Sequence, residues 1–132
     1  MAADFLDTNV LVYFAGEGAK ADRAETLLHD GGVISVQVLN ELANVARRKL
    51  AMTWPEIRDL TDTIRALVSV EPVTVETHEL GLRLAERHGF ALYDAMIVAA
   101  ALIAGASRLF SEDMQHGMIV DGRLHICNPF LA

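Results

Sequence analysis

Brief apolar segments alternate with stretches of ten or more residues at helical spacing along this chain, and that alternation leaves few architectures open. Two parallel strands cannot be joined by a tight turn. They need a crossover of about a dozen residues, usually a helix. Asp4-Phe5-Leu6-Asp7 suits a first, central strand, and Val33-Ile34, Val70 to Val75 and Arg108 to Ser111 are further strand candidates. Between them the spacing predicts helices. A short one follows Asp7, at a point where Asp, Thr or Asn can cap it. Another covers Lys20 to His29, with Ala21, Ala24, Leu27 and Leu28 on one stripe and Gly31-Gly32 as the stop. Ser35 is expected to cap a helix reaching about Leu50, with Leu39, Leu42 and Ala46 on its apolar side. Thr53-Trp54-Pro55-Glu56 has the form of a capping box with proline in the first turn, and Ile57, Leu60, Ile64, Leu67 and Val68 follow at amphipathic spacing. Glu76 to His88 reads as a helix ended by Gly89, and Leu92 to Ala104 as one that is apolar all round except for Asp94. The whole predicts an α/β, three-layer α/β/α domain.

A length of 132 residues suits one domain over residues 1–132, with no repeat, linker or break in composition. Apolar residues are 52% of the chain and Gly plus Pro only 12 residues, which excludes disordered and collagen-like classes. The longest apolar run, Ala95 to Ala104, is half of the roughly 20 residues that a membrane span needs, so it reads as a buried helix. Asp4 and Asp7 interrupt the N-terminal stretch and no basic region precedes it, so no signal peptide is expected. With Cys127 as the single cysteine there is no internal disulfide to form, and a reducing cytoplasm is the expected compartment.

Eighteen acids against eleven bases leave a net charge of −7, the wrong sign for a chain that holds nucleic acid by charge alone. The placement of the acids matters more than their number. In open parallel sheets, sites form at the carboxyl ends of strands. Asp7 ends the first strand and Glu112-Asp113 follow the fourth. Asp94 stands at the start of the most apolar helix, and Glu41 lies on a narrow polar face with Gln37, Asn44 and Arg48. Each has an ordinary explanation: Asp7 a helix cap, Asp94 a first-turn acid favoured by the helix dipole, Glu41 part of a solvated face, Glu112-Asp113 turn residues. Gathered together they are constraining. Two like charges ~4 Å apart repel by about 4 kcal/mol at an effective dielectric of 20. A divalent cation relieves that repulsion, and an all-oxygen donor set without Cys or His selects Mg²⁺ or Mn²⁺ over zinc. The metal would also reconcile the negative chain with a polyanionic substrate.

The chain resembles the PIN-domain family and, within it, the VapC-like ribonuclease toxins of toxin–antitoxin modules. The resemblance rests on Phe5-Leu6-Asp7-Thr8-Asn9-Val10-Leu11, on Ser35…Glu41, on Leu92-Tyr93-Asp94-Ala95, on Phe110-Ser111-Glu112-Asp113-Met114-Gln115-His116-Gly117 and on Asn128-Pro129-Phe130. Steps of 34, 53 and 19 residues separate the successive acids, so the pattern spans nearly the whole chain. The resemblance implies a Mg²⁺- or Mn²⁺-dependent endoribonuclease with Asp7, Glu41, Asp94 and Asp113 as catalytic and metal-binding acids. Thr8, Asn9 and Ser111 fall on supporting, hydrogen-bonding positions. It further implies a mostly parallel sheet of about five strands, homodimerisation and a cognate VapB-like antitoxin. The Asp121-Gly122 hairpin signal fits an all-parallel sheet poorly and leaves the last strand open.

Arg47, Arg48 and Lys49, about two turns beyond Glu41, are candidates for contact with RNA backbone, or simply cations at a helix C-terminus. His116, close after Asp113, is a second candidate for substrate contact, against an ordinary surface role. Tyr13, Phe14 and Trp54 are either core or the lining of an apolar groove between the Lys20–His29 and Thr53–Val68 helices, one suited to an antitoxin helix. A phosphate-accepting receiver domain would need a late lysine, and Lys20 and Lys49 are the only two. A haloacid-dehalogenase-type phosphatase would need Asp two residues after Asp7, where Asn9 stands, and a P-loop would need Gly-Lys-Ser/Thr. The remaining alternative is an inactive domain of the same fold that binds RNA or a protein partner.

Overall fold

The computed structural model describes residues 3–131. Its first strand is only two residues long, β1 (Phe5–Leu6), yet both side chains are fully buried. A strand this short with no polar face belongs in the middle of a covered sheet, and β1 pairs in parallel on both sides. On one side lie β2 (Val33–Ser35) and then β3 (Ser69–Glu71); on the other lies β4 (Arg108–Phe110). The chain completes the sheet with β5 (Ile119–Val120) and β6 (Leu124–Cys127), in the spatial order β3-β2-β1-β4-β6-β5. Helices α1 (Thr8–Phe14), α2 (Ala19–His29), α3 (Val36–Arg48), α4 (Trp54–Leu67), α5 (Val75–His88) and α6 (Leu92–Ile103) make the crossovers.

The sheet has six strands where about five were expected, and the extra one is the antiparallel β5. Asp121 and Gly122 both take positive φ, 52° and 67°, which is the backbone of a hairpin turn whose twist matches its strands. The turn folds β5 back onto β6, while β6 itself stays parallel to β4. The third strand is shorter than its apolar run suggests. Pro72 has no N–H for the ladder, so the strand stops at Glu71. Thr74 then caps α5 in a reciprocal box with Thr77, so Val75 is helical. The box at Thr53 and Glu56 forms as expected, with Thr53 N–H donating to Glu56 at 2.8 Å.

Ser35 begins α3 but does not cap it through its side chain, and its buried hydroxyl has no hydrogen-bond partner. Residues Ala95 to Leu102 of α6 are all buried, as a helix apolar all round requires. It packs on α5 at Gly81, where an added Cβ would collide with Met96 Sδ. Among the described residues no helix is long and apolar enough to cross a membrane.

Tyr13 and Trp54 take up separate places. Tyr13 packs edge-on against Phe130, with ring centroids 4.9 Å apart, and donates to Glu112. Trp54 instead lines a groove between α3 and α4 that neither Tyr13 nor Phe14 reaches. Arg23 donates to the Pro129 carbonyl at 3.1 Å and so holds the C-terminal stretch, with Phe130, against Tyr13.

Candidate functional site

The strand order reverses at β1: the chain steps outward through β2 and β3, then returns to the other side of β1 as β4. That switch point opens a crevice beyond the carboxyl ends of β1 and β4. Phe5 is in register with Val33 of β2 and Leu109 of β4, so two residues on, Ser35, Asp7 and Ser111 stand side by side at the rim.

Asp7 is buried, at 5% exposure, and it does two jobs at once. One carboxylate oxygen caps α1 by accepting Thr8 N–H at 2.7 Å. The other accepts the Ser111 hydroxyl at 2.7 Å and the Asn9 amide at 3.2 Å. Burial raises its pKa from the ordinary 3.8 to about 6, and the charges of Asp94 and Glu41 add to that rise. The Ser111 and Thr8 hydrogen bonds pull the other way without cancelling it. Asp94, half-buried in the first turn of α6, is also raised, first by burial and then by Asp113 and Glu41. Asp7 and Asp113 beyond strand ends, Asp94 at a helix start and Glu41 on a helix face therefore share one electrostatic neighbourhood.

Each supporting residue singled out from the sequence touches an acid. The Thr8 hydroxyl donates to Glu41 Oε1 at 2.6 Å. The Asn9 amide reaches Asp7, the Ser111 hydroxyl at 3.3 Å and Asp113 Oδ2 at 3.3 Å, while its carbonyl accepts Glu112 N–H at 3.1 Å. Ser111 Oγ accepts the N–H groups of Asp113 and Met114 and so shapes the loop that carries Asp113. Gln37 is visible in the sequence only as one member of a polar stripe, and its role there is not legible. It lies one turn before Glu41, donates to Glu41 Oε2 at 3.2 Å and to the Tyr93 carbonyl at 3.0 Å, and so ties α3 to α6 beside Asp94. The signal that could have found it is the i, i+4 spacing to an acid on the same face.

Neighbouring acids after β4 part company. Asp113 is exposed and turns to Asn9, whereas Glu112 accepts Tyr13 Oη at 2.6 Å and Lys20 Nζ at 2.7 Å. Those two donors hold the Glu112 carboxyl below its usual pKa and keep it out of the acid group. His116 Nδ1 accepts Asn128 N–H at 2.9 Å and braces the loop against the C-terminal stretch. Arg47, Arg48 and Lys49 sit exposed at the end of α3, where Arg47 donates to the Met52 carbonyl at 3.1 Å and covers the Trp54 ring.

Among the described residues, no three acidic, His or Cys side chains stand close enough to clasp a metal ion by themselves. The acids form an open, all-oxygen rim in which Asp7, Glu41 and Asp113 each take a hydroxyl or amide donor. That chemistry suits a hard dication that keeps part of its water shell, as Mg²⁺ does, better than a closed structural site. The pKa of Asp7 is raised first by burial and then by the charges of Asp94 and Glu41, and a cation at the rim would oppose both effects.

The PIN domain family model matches residues 5–117. No curated protein matches the sequence. Among solved structures, a toxin–antitoxin complex from Klebsiella pneumoniae contains a similar chain, at TM-score 0.74 and 17% identity over 97% of this chain and 98% of that one. VapC20 of Mycobacterium tuberculosis, described as a sarcin-ricin loop cleaving toxin, is similar at TM-score 0.69 and 22% identity over 84% and 92%. VapBC2 from Rickettsia felis, solved on a DNA fragment from its promoter, is similar at TM-score 0.68 and 19% identity over 95% and 98%.

Proposed function

The chain belongs to the PIN domain family, and from that premise we propose that it is a Mg²⁺- or Mn²⁺-dependent endoribonuclease, the toxin of a toxin–antitoxin module. The observation that carries this reading is the buried Asp7 at the switch point, raised to about 6 and coupled to Asp94 and Glu41. Keeping a carboxylate under that load is costly for a structural cap, and a cap needs neither of those neighbours. Asp7, Asp94 and Asp113 would hold the metal, directly or through water, with Glu41 completing the set. The metal would supply positive charge for a phosphodiester and would lower the pKa of an attacking water.

The protein's own groups do the positioning. Thr8 and Gln37 fix both oxygens of Glu41, leaving a carboxylate oriented to accept a proton from the attacking water. Asn9 and Ser111 bridge Asp7 to the Asp113 loop and keep the rim at one spacing. Similar chains occur in a toxin–antitoxin complex and in VapBC2, which supports a VapB-like antitoxin as a partner; a second copy of this chain and a cytoplasmic location complete the proposal.

Purified protein incubated with total RNA in Mg²⁺ or Mn²⁺, against EDTA, tests the activity. New RNA ends are expected with wild type and not with Asp7→Asn or Asp94→Asn proteins that remain folded. Equal cleavage by wild type and both variants, or binding of RNA without cleavage in either metal, would refute it and favour an inactive binding domain.

A further inference from the structure

The groove between α3 and α4 lies outside the acid rim yet adjoins it. It is about 550 Å³ in volume, with Leu39, Ala43 and Ile57 among its apolar lining and Arg58, Thr61 and Arg65 along one side. Val36 and Asn40 line this groove and also the neighbouring cleft that contains Gln37 and Glu41. A strand bound at the acids can therefore continue into it.

Trp54 is the feature that asks for an occupant. The indole is 57% exposed although the core has no shortage of apolar neighbours. The Thr53 capping box and Pro55 fix the backbone that carries it at the first position of α4. The Arg47 guanidinium covers its ring at 4.9 Å, and that arginine is itself held by the Met52 carbonyl at 3.1 Å. The other exposed part of the ring lines the groove.

Charge selects the kind of occupant. Arg58 and Arg65 line the groove and Arg47 lies over the Trp54 ring at its edge, in a chain whose net charge is −7. Among the described residues, neither Arg58 nor Arg65 has an ion-pair partner. Glu56 on the same helix is spent on the cap, and Asp59 and Asp62 do not line the groove. Free guanidinium groups beside a rigid, exposed indole are what single-stranded nucleic acid needs: cations for phosphates and a flat ring for a base.

We propose that the α3–α4 groove is a single-stranded RNA subsite in which Trp54 stacks on a base and Arg58 and Arg65 contact phosphates. The proposal rests on the nuclease reading and extends it to substrate placement.

Trp54 is the single tryptophan, so intrinsic emission reports on this groove alone. An uncleaving Asp94→Asn protein would be titrated in Mg²⁺ buffer with an oligoadenylate of about ten nucleotides, within the usual span of one single-strand site. Saturable quenching is expected. With affinity in the tryptophan-free proteins read by filter binding of the end-labelled oligonucleotide, adding Trp54→Ala should weaken binding about ten-fold, and Trp54→Phe should restore most of it, as stacking requires. Arg58→Gln with Arg65→Gln should lower the slope of log affinity against log salt by about 1.4, at ~0.7 per phosphate contact on a single strand. Arg83→Gln, which removes an exposed charge from α5, should change neither quantity.

RNA binding with unchanged Trp54 emission would overturn the subsite while leaving the nuclease reading intact. Emission that shifts on dilution without RNA would assign the groove to a second copy of the chain and overturn it equally. A wild-type protein that neither binds nor cuts RNA would remove the nuclease reading, and the subsite with it.

Discussion

Removing the charge of Asp7 should stabilise the metal-free protein, and by an amount that depends on pH. A carboxyl whose folded pKa lies above its unfolded value binds more protons in the folded state. Its ionisation therefore works against folding as pH rises through the interval between the two values. Here the interval runs from the ordinary 3.8 to about 6. Below it both states are protonated and the penalty is absent; above it the penalty is complete. Because Asp7 is almost wholly buried, little solvent screening reduces the effect. Two pKa units correspond to about 3 kcal/mol, of which about 2.5 kcal/mol develops between about pH 4 and about pH 8.

The carboxamide oxygen introduced by Asp7→Asn can still accept Thr8 N–H, but its NH2 replaces the acceptor that Asp7 offers to Ser111 and Asn9; that loss does not vary with pH, so the pH-dependent part of the comparison isolates charge. Urea unfolding of wild type and Asp7→Asn in EDTA should give stability curves that diverge in favour of the variant by about 2.5 kcal/mol from about pH 4 to about pH 8. Near neutral pH this is roughly a 10 °C gain in Tm for a chain of this size. Mg²⁺ at about a hundred times its Kd should then raise wild-type stability by about 2.7 kcal/mol and leave the variant almost unchanged. Parallel curves at all pH values would refute the burial argument for Asp7. Divergent curves with no Mg²⁺ response would leave that argument standing and refute Asp7 as a metal ligand.

Other consequences separate neighbouring groups. Asp113→Asn should reduce RNA cleavage by about a hundred-fold or more, as loss of charge stabilisation at a reacting centre does, while Glu112→Gln retains most activity because that side chain faces Tyr13 and Lys20; assays of both against one labelled RNA check this. Asn9→Ala and Thr8→Val each disconnect an acid from its hydrogen-bonding support and should cost about 10–100-fold in metal affinity or activity, read by calorimetric Mn²⁺ titration beside initial rates. Gly81→Ala should destabilise the fold by about 1–3 kcal/mol through overpacking against Met96, despite a helix propensity that favours alanine, and a second change of Met96→Ala should recover part of the loss in thermal melts.

Much of the fold is written locally. Short apolar strands, the Thr53 box, the glycine stop at Gly89 and the Asp121-Gly122 turn depend on residues within a few positions of one another, and all of them form. Asp7 and Asp113 can be placed at strand ends for the same reason, since a parallel α/β order fixes which ends are shared. Contacts between distant segments decided the rest. Asp113 faces the acid rim and Glu112 does not because Tyr13 and Lys20, 99 and 92 residues away in the chain, claim Glu112. Thr74 is hard to read as a cap from the sequence because its box partner is a threonine instead of an acid. The separation of Tyr13 from Trp54 and the raised pKa of Asp7 share one physical origin. Each depends on which remote groups burial brings together, and burial is a property of the packed molecule that no short stretch of residues carries.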